Sequence, residues 1–269
     1  MVYMPHDVYV GRSFHEYGEF SPSEVRLLRS LVEPGDVALD IGANIGAITK
    51  ALAAKAVKVH AFEPQPFVCG LLKMNTAGCI LPQDCVHADV HNHAIGEKGL
   101  ISMPKFDYSV ENNYGAVSNA EWEPANTKDG TIDKFPIDDY ICKPATCQVK
   151  LIKVDVEGME LEVLRSGAET IKQAKPLLFV ECDRPDTGPA LIDYLYEINY
   201  TPYWAVTALY EYPNFNRNSN NVFGTTCSFN LLCIPEGRDK PWCGDYLVPA
   251  RSDNAIGTWD LSKVLVVRD

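Results

Sequence analysis

The chain has 269 residues, of which 46% are apolar and 22% charged, and its formal net charge is −12. That length and apolar share are enough for a full hydrophobic core and exclude wholesale disorder, while the acidic balance and the lack of a basic stripe argue against nucleic acid as a partner. No stretch approaches the roughly 18 apolar residues of a membrane span, and no signal-peptide core occurs near the start. The nine cysteines are odd in number with no C-x-x-C pair, so the chain is expected in a reducing, cytoplasmic setting.

In chain order, residues 1–20 are mixed and aromatic, with Tyr3, Tyr9, Phe14, Tyr17 and Phe20. Ser21-Pro22-Ser23-Glu24 reads as a helix start, with Ser21 as the cap and proline in the first turn; the helix runs to about Val32. Pro34-Gly35-Asp36 is a turn. Val37 to Ile41 is an apolar strand carrying one acid, followed by a glycine-rich turn and a helix over 45–55. Val57 to Phe62 is a second strand ending at Glu63-Pro64, with a helix over 66–75 behind it. A third strand lies within 85–95, with Gly96 at its exit. Residues 97–148 are polar and form a long excursion with short strands and a helical turn near Ile137 to Tyr140. Leu151 to Val156 is a β-branched strand, and Gly158 opens a helix with apolar Leu161, Leu164 and Ala168. Pro176 to Val180 is a strand ending in Glu181-Cys182-Asp183. A helix over 189–198, strands near 203–209 and 228–234 and a polar tail complete the chain.

Alternating strands and helices predict an α/β fold, a doubly wound Rossmann-like sheet that is mostly parallel with helices on both faces. The last two strands lack a long helix between them and predict an antiparallel pair at one edge. One domain over 1–269 is expected: a lead-in over 1–33, a core over 34–198 with the excursion inside it, and edge strands and loops over 199–269.

In such a sheet, ligands bind beyond the carboxyl ends of the strands. Those ends carry Asp40 with Gly42-Ala43-Asn44-Ile45-Gly46, then Glu63-Pro64, then Asn92-His93-Ala94, then Asp155-Val156-Glu157-Gly158, then Glu181 and Asp183. The glycines permit a tight turn and a close ligand approach. Glu63 follows Gly42 by roughly 20 residues, the offset at which a carboxylate meets a ribose diol. The turn lacks the third glycine of the dinucleotide fingerprint, which favours a nucleoside with an amino-acid tail over a pyrophosphate.

These blocks resemble the FkbM methyltransferases, within the class I Rossmann-like methyltransferases. The matching text is VALDIGANIGAITKALA, VHAFEPQP, HAIGEKG, FPIDDYI, VKLIKVDVEGMELEVLRSG and LLFVEC, in the family's order over roughly 20–182. The resemblance implies S-adenosylmethionine as cofactor, with Asp40, Gly42, Asn44 and Gly46 at its methionine end and Ala43 in the same turn. It also implies Glu63 on the ribose, and Pro64, His93 and Ala94 around the adenine. It implies O-methylation of a sugar, glycan or related small-molecule hydroxyl.

Tyr17 and Glu19 are expected to close over the methionine end. Removing the proton of an alcohol needs a base or a bound cation. Asp155, Glu157 and Glu181 are the catalytic candidates, and Asp155, Glu181 and Asp183 form a candidate site for magnesium or manganese, whose preferred ligands are oxygens. The alternating His87, Asp89, His91 and His93 are expected to be structural or to neighbour the cofactor. Asn112, Asn113, Tyr114, Tyr203, Trp204, Asn214, Phe215, Asn220, Asn221 and Phe223 are the acceptor-side candidates. The alternatives are methylation of a hydroxyl or amine on a lipid or natural product, a cofactor-binding protein without turnover, and an NAD-linked oxidoreductase.

Overall fold

The computed structural model describes residues 1–55, 57–77, 88–116, 130–141, 149–241 and 248–252. His87, the first member of the alternating histidine pattern, and the cysteines at 79, 85, 142, 147 and 243 lie outside them. Cys69, Cys182, Cys227 and Cys233 are free thiols.

The main sheet contains β1 (Val37–Ile41), β2 (Lys58–Phe62), β3 (Ala88–His91), β7 (Val149–Val154), β8 (Leu177–Glu181), β9 (Tyr200–Ala208), β10 (Cys227–Pro235) and β11 (Val248–Pro249). A small second sheet holds β4 (Ala94–Ile95), β5 (Gly99–Ser102) and β6 (Thr131–Phe135). The main order is β11-β9-β10-β8-β7-β1-β2-β3. The run from β8 to β3 is parallel; β10, β9 and β11 pair antiparallel at the other edge. This is the expected mixed sheet, with one extra short strand outside the antiparallel pair.

Helices cover both faces. Leu39, Ile41, Ile152 and Val154 point to the face packed by α6 (Glu160–Ser166), α7 (Ala168–Ala174) and α8 (Gly188–Glu197). Ala38, Val59, Leu151 and Phe179 point to the face packed by α2 (Pro22–Ser30) and α3 (Ala47–Ala53), and α4 (Pro66–Thr76) packs Leu72 on Ala61 beside them. A short helix, α5 (Ile137–Ile141), leads from the small sheet back to α7.

Several expectations needed correction. The aromatic lead-in forms a helix, α1 (Val10–Tyr17), closed by Gly18 in the left-handed region. The third strand is broken. After β3 the side chain of Asn92 donates to the carbonyls of Glu63 and Pro64 at 2.9 and 3.0 Å, so the chain turns and Ala94–Ile95 join the small sheet instead. The helix after Gly158 is two helices that meet at Gly167, where any Cβ would collide with the Ile137 side chain at 2.9 Å. Ser21 makes no side-chain bond to the helix backbone; its hydroxyl donates to the Glu24 carboxylate at 3.0 Å.

Candidate active site

Side chains alternate faces along a strand, and the α2/α3 face changes character toward the strand ends. On β1 Ala38 gives way to Asp40; on β7 Leu151 gives way to Lys153 and then Asp155. On β8 Phe179 gives way to Glu181 and then Asp183. The register puts Asp40 beside Lys153, and Asn230 beside Glu181. One hydrophobic face thus becomes a polar floor beneath a cleft of about 320 Å³. Its walls are the Gly42–Ile48 segment, Tyr9, Val10 and Phe20 from the lead-in, Asn113 and Gly115 from the excursion, and Thr226 to Phe229 from β10. A smaller pocket adjoins it, lined by Glu63, Pro64, Gln65, His93, Ala94 and Met159.

The turn after β1 is held from inside. Gly42 and Ala43 donate their N–H groups to the Phe62 carbonyl, both at 3.0 Å, and Gly46 donates to Ala43 at 2.9 Å. Asn44, at φ 50°, donates to Glu63 Oε2 at 3.0 Å, and Ile45 donates to the Asn44 side chain at 2.7 Å. All of the turn's amides therefore have partners within the protein. Gly42 is obligatory: its φ is +81°, and a Cβ there would lie 1.7 Å from the Asp155 carbonyl oxygen. Gly46 faces Leu72 rather than the cleft.

Glu63 is buried, accepting from Asn44 N and from Gln65 N at 2.9 Å. Burial pushes its carboxyl up to about 7 despite those bonds. Each oxygen keeps a lone pair toward the two pockets that meet at this residue. His93 stacks on Tyr140 at 4.9 Å, and burial lowers it to about 4, so its ring is neutral at pH 7. His91 stacks on Phe62 at 4.8 Å, which fits the structural reading of these histidines.

Asp40 is fully enclosed and lines neither pocket. It accepts from Thr49 Oγ1 at 2.6 Å and lies 3.6 Å from Lys153 Nζ. Lys153 itself is buried, with Nζ 3.1 Å from Asp155 Oδ2 and 3.5 Å from the Gly42 carbonyl. Burial works against its charge, but Asp155, Asp40 and Glu24 outweigh it and hold the pKa above lysine's ordinary value. Glu24 is buried at the cleft wall and is pushed up to about 7 by burial. Sequence reasoning missed both roles. Lys153 had one signal, a cation inside an otherwise apolar β-branched run, while Glu24 looked like an ordinary helix-start acid.

Asp155, Glu157 and Glu181 come together, with one oxygen of each within 4.8 Å of the others. Glu157, at φ 58°, is paired with Arg184; burial first, then Asp155, raises it to about 7. Glu181 is raised well above its ordinary value by burial and by its acidic neighbours, and its Oε2 is shielded from solvent with no hydrogen-bond partner. Asp183 lines the cleft but stands outside this triad, 3.7 Å from Arg184 Nε.

The lead-in places Tyr17 elsewhere than expected. It is buried against Tyr210 and Phe223, its hydroxyl donating to Asn220 O at 3.0 Å and accepting from Val222 N at 2.8 Å, so Tyr9, Val10 and Phe20 face the cleft in its stead. Glu19 lies near Glu211 and Arg26. Of the acceptor-side candidates only Asn113 lines the cleft. Tyr114, Tyr203, Trp204, Asn214 and Phe223 are buried in packing, and Phe215 is exposed. Asn112 bridges to Asp7, and the Asn220 and Asn221 side chains lie outside the lining.

The methyltransferase FkbM domain matches residues 40–202, more than half of the chain. The chain belongs to this family. Its mostly parallel sheet with an antiparallel edge is the class I methyltransferase fold. A relative, the hexuronic acid methyltransferase AglP of Haloferax volcanii, is 31% identical over 160 residues, covering 58% of this chain and 60% of AglP. The crystal structure of methyltransferase FkbM from Methylobacillus flagellatus overlies 81% of this chain and 49% of its own with a TM-score of 0.50 at 20% identity, a likeness of fold. The chain therefore spans about half to three-fifths of these relatives. Among the described residues no helix is long and apolar enough to cross a membrane.

Proposed function

We propose that this FkbM methyltransferase transfers the methyl group of S-adenosylmethionine to a hydroxyl of a sugar or glycan. The observation that carries the reading is Glu157, a carboxylate with a pKa near 7 at the wall of a cleft whose other end is the Gly42–Gly46 turn. A base with that pKa is matched to proton removal at neutral pH. The name of AglP supports a sugar as acceptor.

S-adenosylmethionine supplies a methyl group already activated on sulfonium; the protein has to bind, align and take a proton. Glu63 offers its free lone pairs to the ribose diol, and Ala43 and Asn44 line the path to the methionine end. Pro64, His93 and Ala94 line the smaller pocket, where the adenine would lie. Asp40 acts from beneath, through Thr49 and Lys153. The acceptor enters between Phe20, Asn113 and Thr226–Phe229, with its hydroxyl toward Glu157; Asp155 and Glu181 complete the acidic wall. The lead-in and the edge strands belong to the same unit as the core, since Tyr17 of the first is tied to residues 220–222 of the second. Free buried thiols suit a reducing compartment such as the cytoplasm.

A magnesium or manganese ion fits the oxygen set of Asp155, Glu157 and Glu181, where the unpartnered Glu181 oxygen would be satisfied. It would lower the pKa of an acceptor hydroxyl and so take the place of Glu157 as base, since a carboxylate that holds the ion is no longer free to accept the proton. The test is to incubate the protein with methyl-labelled cofactor and a panel of neutral, amino and uronic sugars and glycans. S-adenosylhomocysteine release and the position of the new methyl group are then read before and after dialysis against a chelator. Methyl appearing on nitrogen, or on lipid hydroxyls alone, would overturn the sugar reading. Turnover untouched by the chelator would remove the metal.

A further inference from the structure

We infer that Lys153 recognises the α-carboxylate of the cofactor's methionine end, and so selects for a cofactor that carries one. The inference rests on the cofactor lying in the cleft as proposed above. A carboxylate taken from water into this cleft needs donors, because an unpaired buried anion is costly. The usual source in a glycine turn, the backbone amides, is closed here. Gly42, Ala43, Asn44, Ile45 and Gly46 all donate to partners inside the protein. Among the described residues that line the cleft, Lys153 is the one cation.

Lys153 also has capacity. An ammonium group has three donors. One is directed at Asp155 Oδ2 at 3.1 Å and a second at the Gly42 carbonyl at 3.5 Å. Asp40 Oδ1, at 3.6 Å, lies beyond hydrogen-bond reach. A third donor remains beside the turn, at the floor of the cleft. Asp40 and Asp155 lie against its ammonium at 3.6 and 3.1 Å, and Glu24 lines the same cleft. Asp155 and Glu24, which also line the cleft, offer acceptors for the cofactor's α-ammonium. Lys153 and these acids thus match a zwitterion, one charge of each sign.

The experiment is calorimetric and needs no acceptor. Wild type, Lys153→Met and Lys153→Arg are titrated with S-adenosylmethionine, with its decarboxylated form, and with methylthioadenosine, which lacks the amino-acid tail. Wild type is expected to bind the decarboxylated form about 10- to 100-fold more weakly than the intact cofactor. Lys153→Met should bind the two within about threefold of each other, keep its affinity for methylthioadenosine, and so show that the nucleoside site has survived. Lys153→Arg should retain discrimination. Equal affinities for the two forms in wild type would overturn the inference even if Lys153→Met failed to fold. So would a Lys153→Met variant that loses the same factor against all three ligands. Glu63→Gln separates the premise from the inference. If it leaves methylthioadenosine binding unchanged, the cofactor's placement in the cleft is what has failed, and the Lys153 contact falls with it.

Discussion

The glycine-turn end of the cleft, at β1 and β2, and the acidic end, at β7 and β8, are both crowded with polar groups, but they are finished differently. At β1 and β2 each turn amide and both Glu63 oxygens have internal partners, and Asp40 Oδ1, without a hydrogen bond, faces the Lys153 ammonium at 3.6 Å. At β7 and β8 three carboxylates converge, one oxygen of Glu181 has no partner, and Arg184 pairs with Glu157 and Asp183 while Lys153 is shared between Asp155 and Asp40. A saturated network holds a geometry. An unsaturated one holds unsatisfied charge for chemistry to use, at a cost in stability.

That contrast can be broken from either side. The largest expected effect is on turnover: Glu157→Gln should lower kcat by about 100- to 10,000-fold while leaving cofactor affinity by calorimetry within about threefold. A loss below tenfold would move the base to Asp155 or Glu181. Next is Gly42→Ala, which forces a Cβ onto the Asp155 carbonyl at positive φ. It should destabilise the fold by about 2–4 kcal/mol, read from urea unfolding. Glu63→Gln should follow, weakening cofactor binding by about 10- to 100-fold with kcat at saturation little changed, because the Gln amide nitrogen only donates and can accept from neither the backbone N–H nor a ribose hydroxyl.

A pH dependence of stability is expected as well. Glu24, Glu63 and Glu157 have folded pKa values of about 7, against an ordinary value of 4.5. Between those values the folded state binds more protons than the unfolded one, so these groups make stability fall as pH rises. Their stabilising contribution is full below about pH 4.5 and gone above about 7. Unfolding of the ligand-free protein at pH 5 and at pH 7.5 measures this, and the Glu157→Gln variant should show a shallower slope. A steeper slope in that variant would contradict the assignment.

Much of the fold was legible in the sequence because it is written in local patterns: apolar strands of even length, helices behind them, and two strands with no helix between them. The cofactor turn was legible for the same reason, since Gly42 and Glu63 are fixed by chain geometry and by an offset along it. The acidic triad was partly legible, because Asp155, Glu157 and Glu181 stand at strand ends. What the sequence hid depends on packing across elements. Lys153 sits two residues before Asp155 in an apolar run, and nothing local says that Asp40, Thr49 and Glu24 converge around it from β1, α3 and α2. Tyr17 looked like a lid residue because aromatics before a first helix are often free to fold over a site, but Gly18 ends α1 and points that ring into the edge-strand loops. The acceptor-side asparagines looked like ligands, yet Asn214 and Asn221 bond to their own loop.

The acid excess along the cleft has a consequence for the end of the reaction cycle. Among the described residues that line it, Glu24, Glu63, Asp155, Glu157, Glu181 and Asp183 stand against one cation, Lys153. The intact cofactor brings a sulfonium and an ammonium against one carboxylate, a net positive guest. Once the methyl has left, the sulfur is neutral and the guest carries no net charge, while the wall is unchanged. The attraction that drew the cofactor in no longer acts on what remains, and the spent nucleoside is expected to bind more weakly than the fresh one.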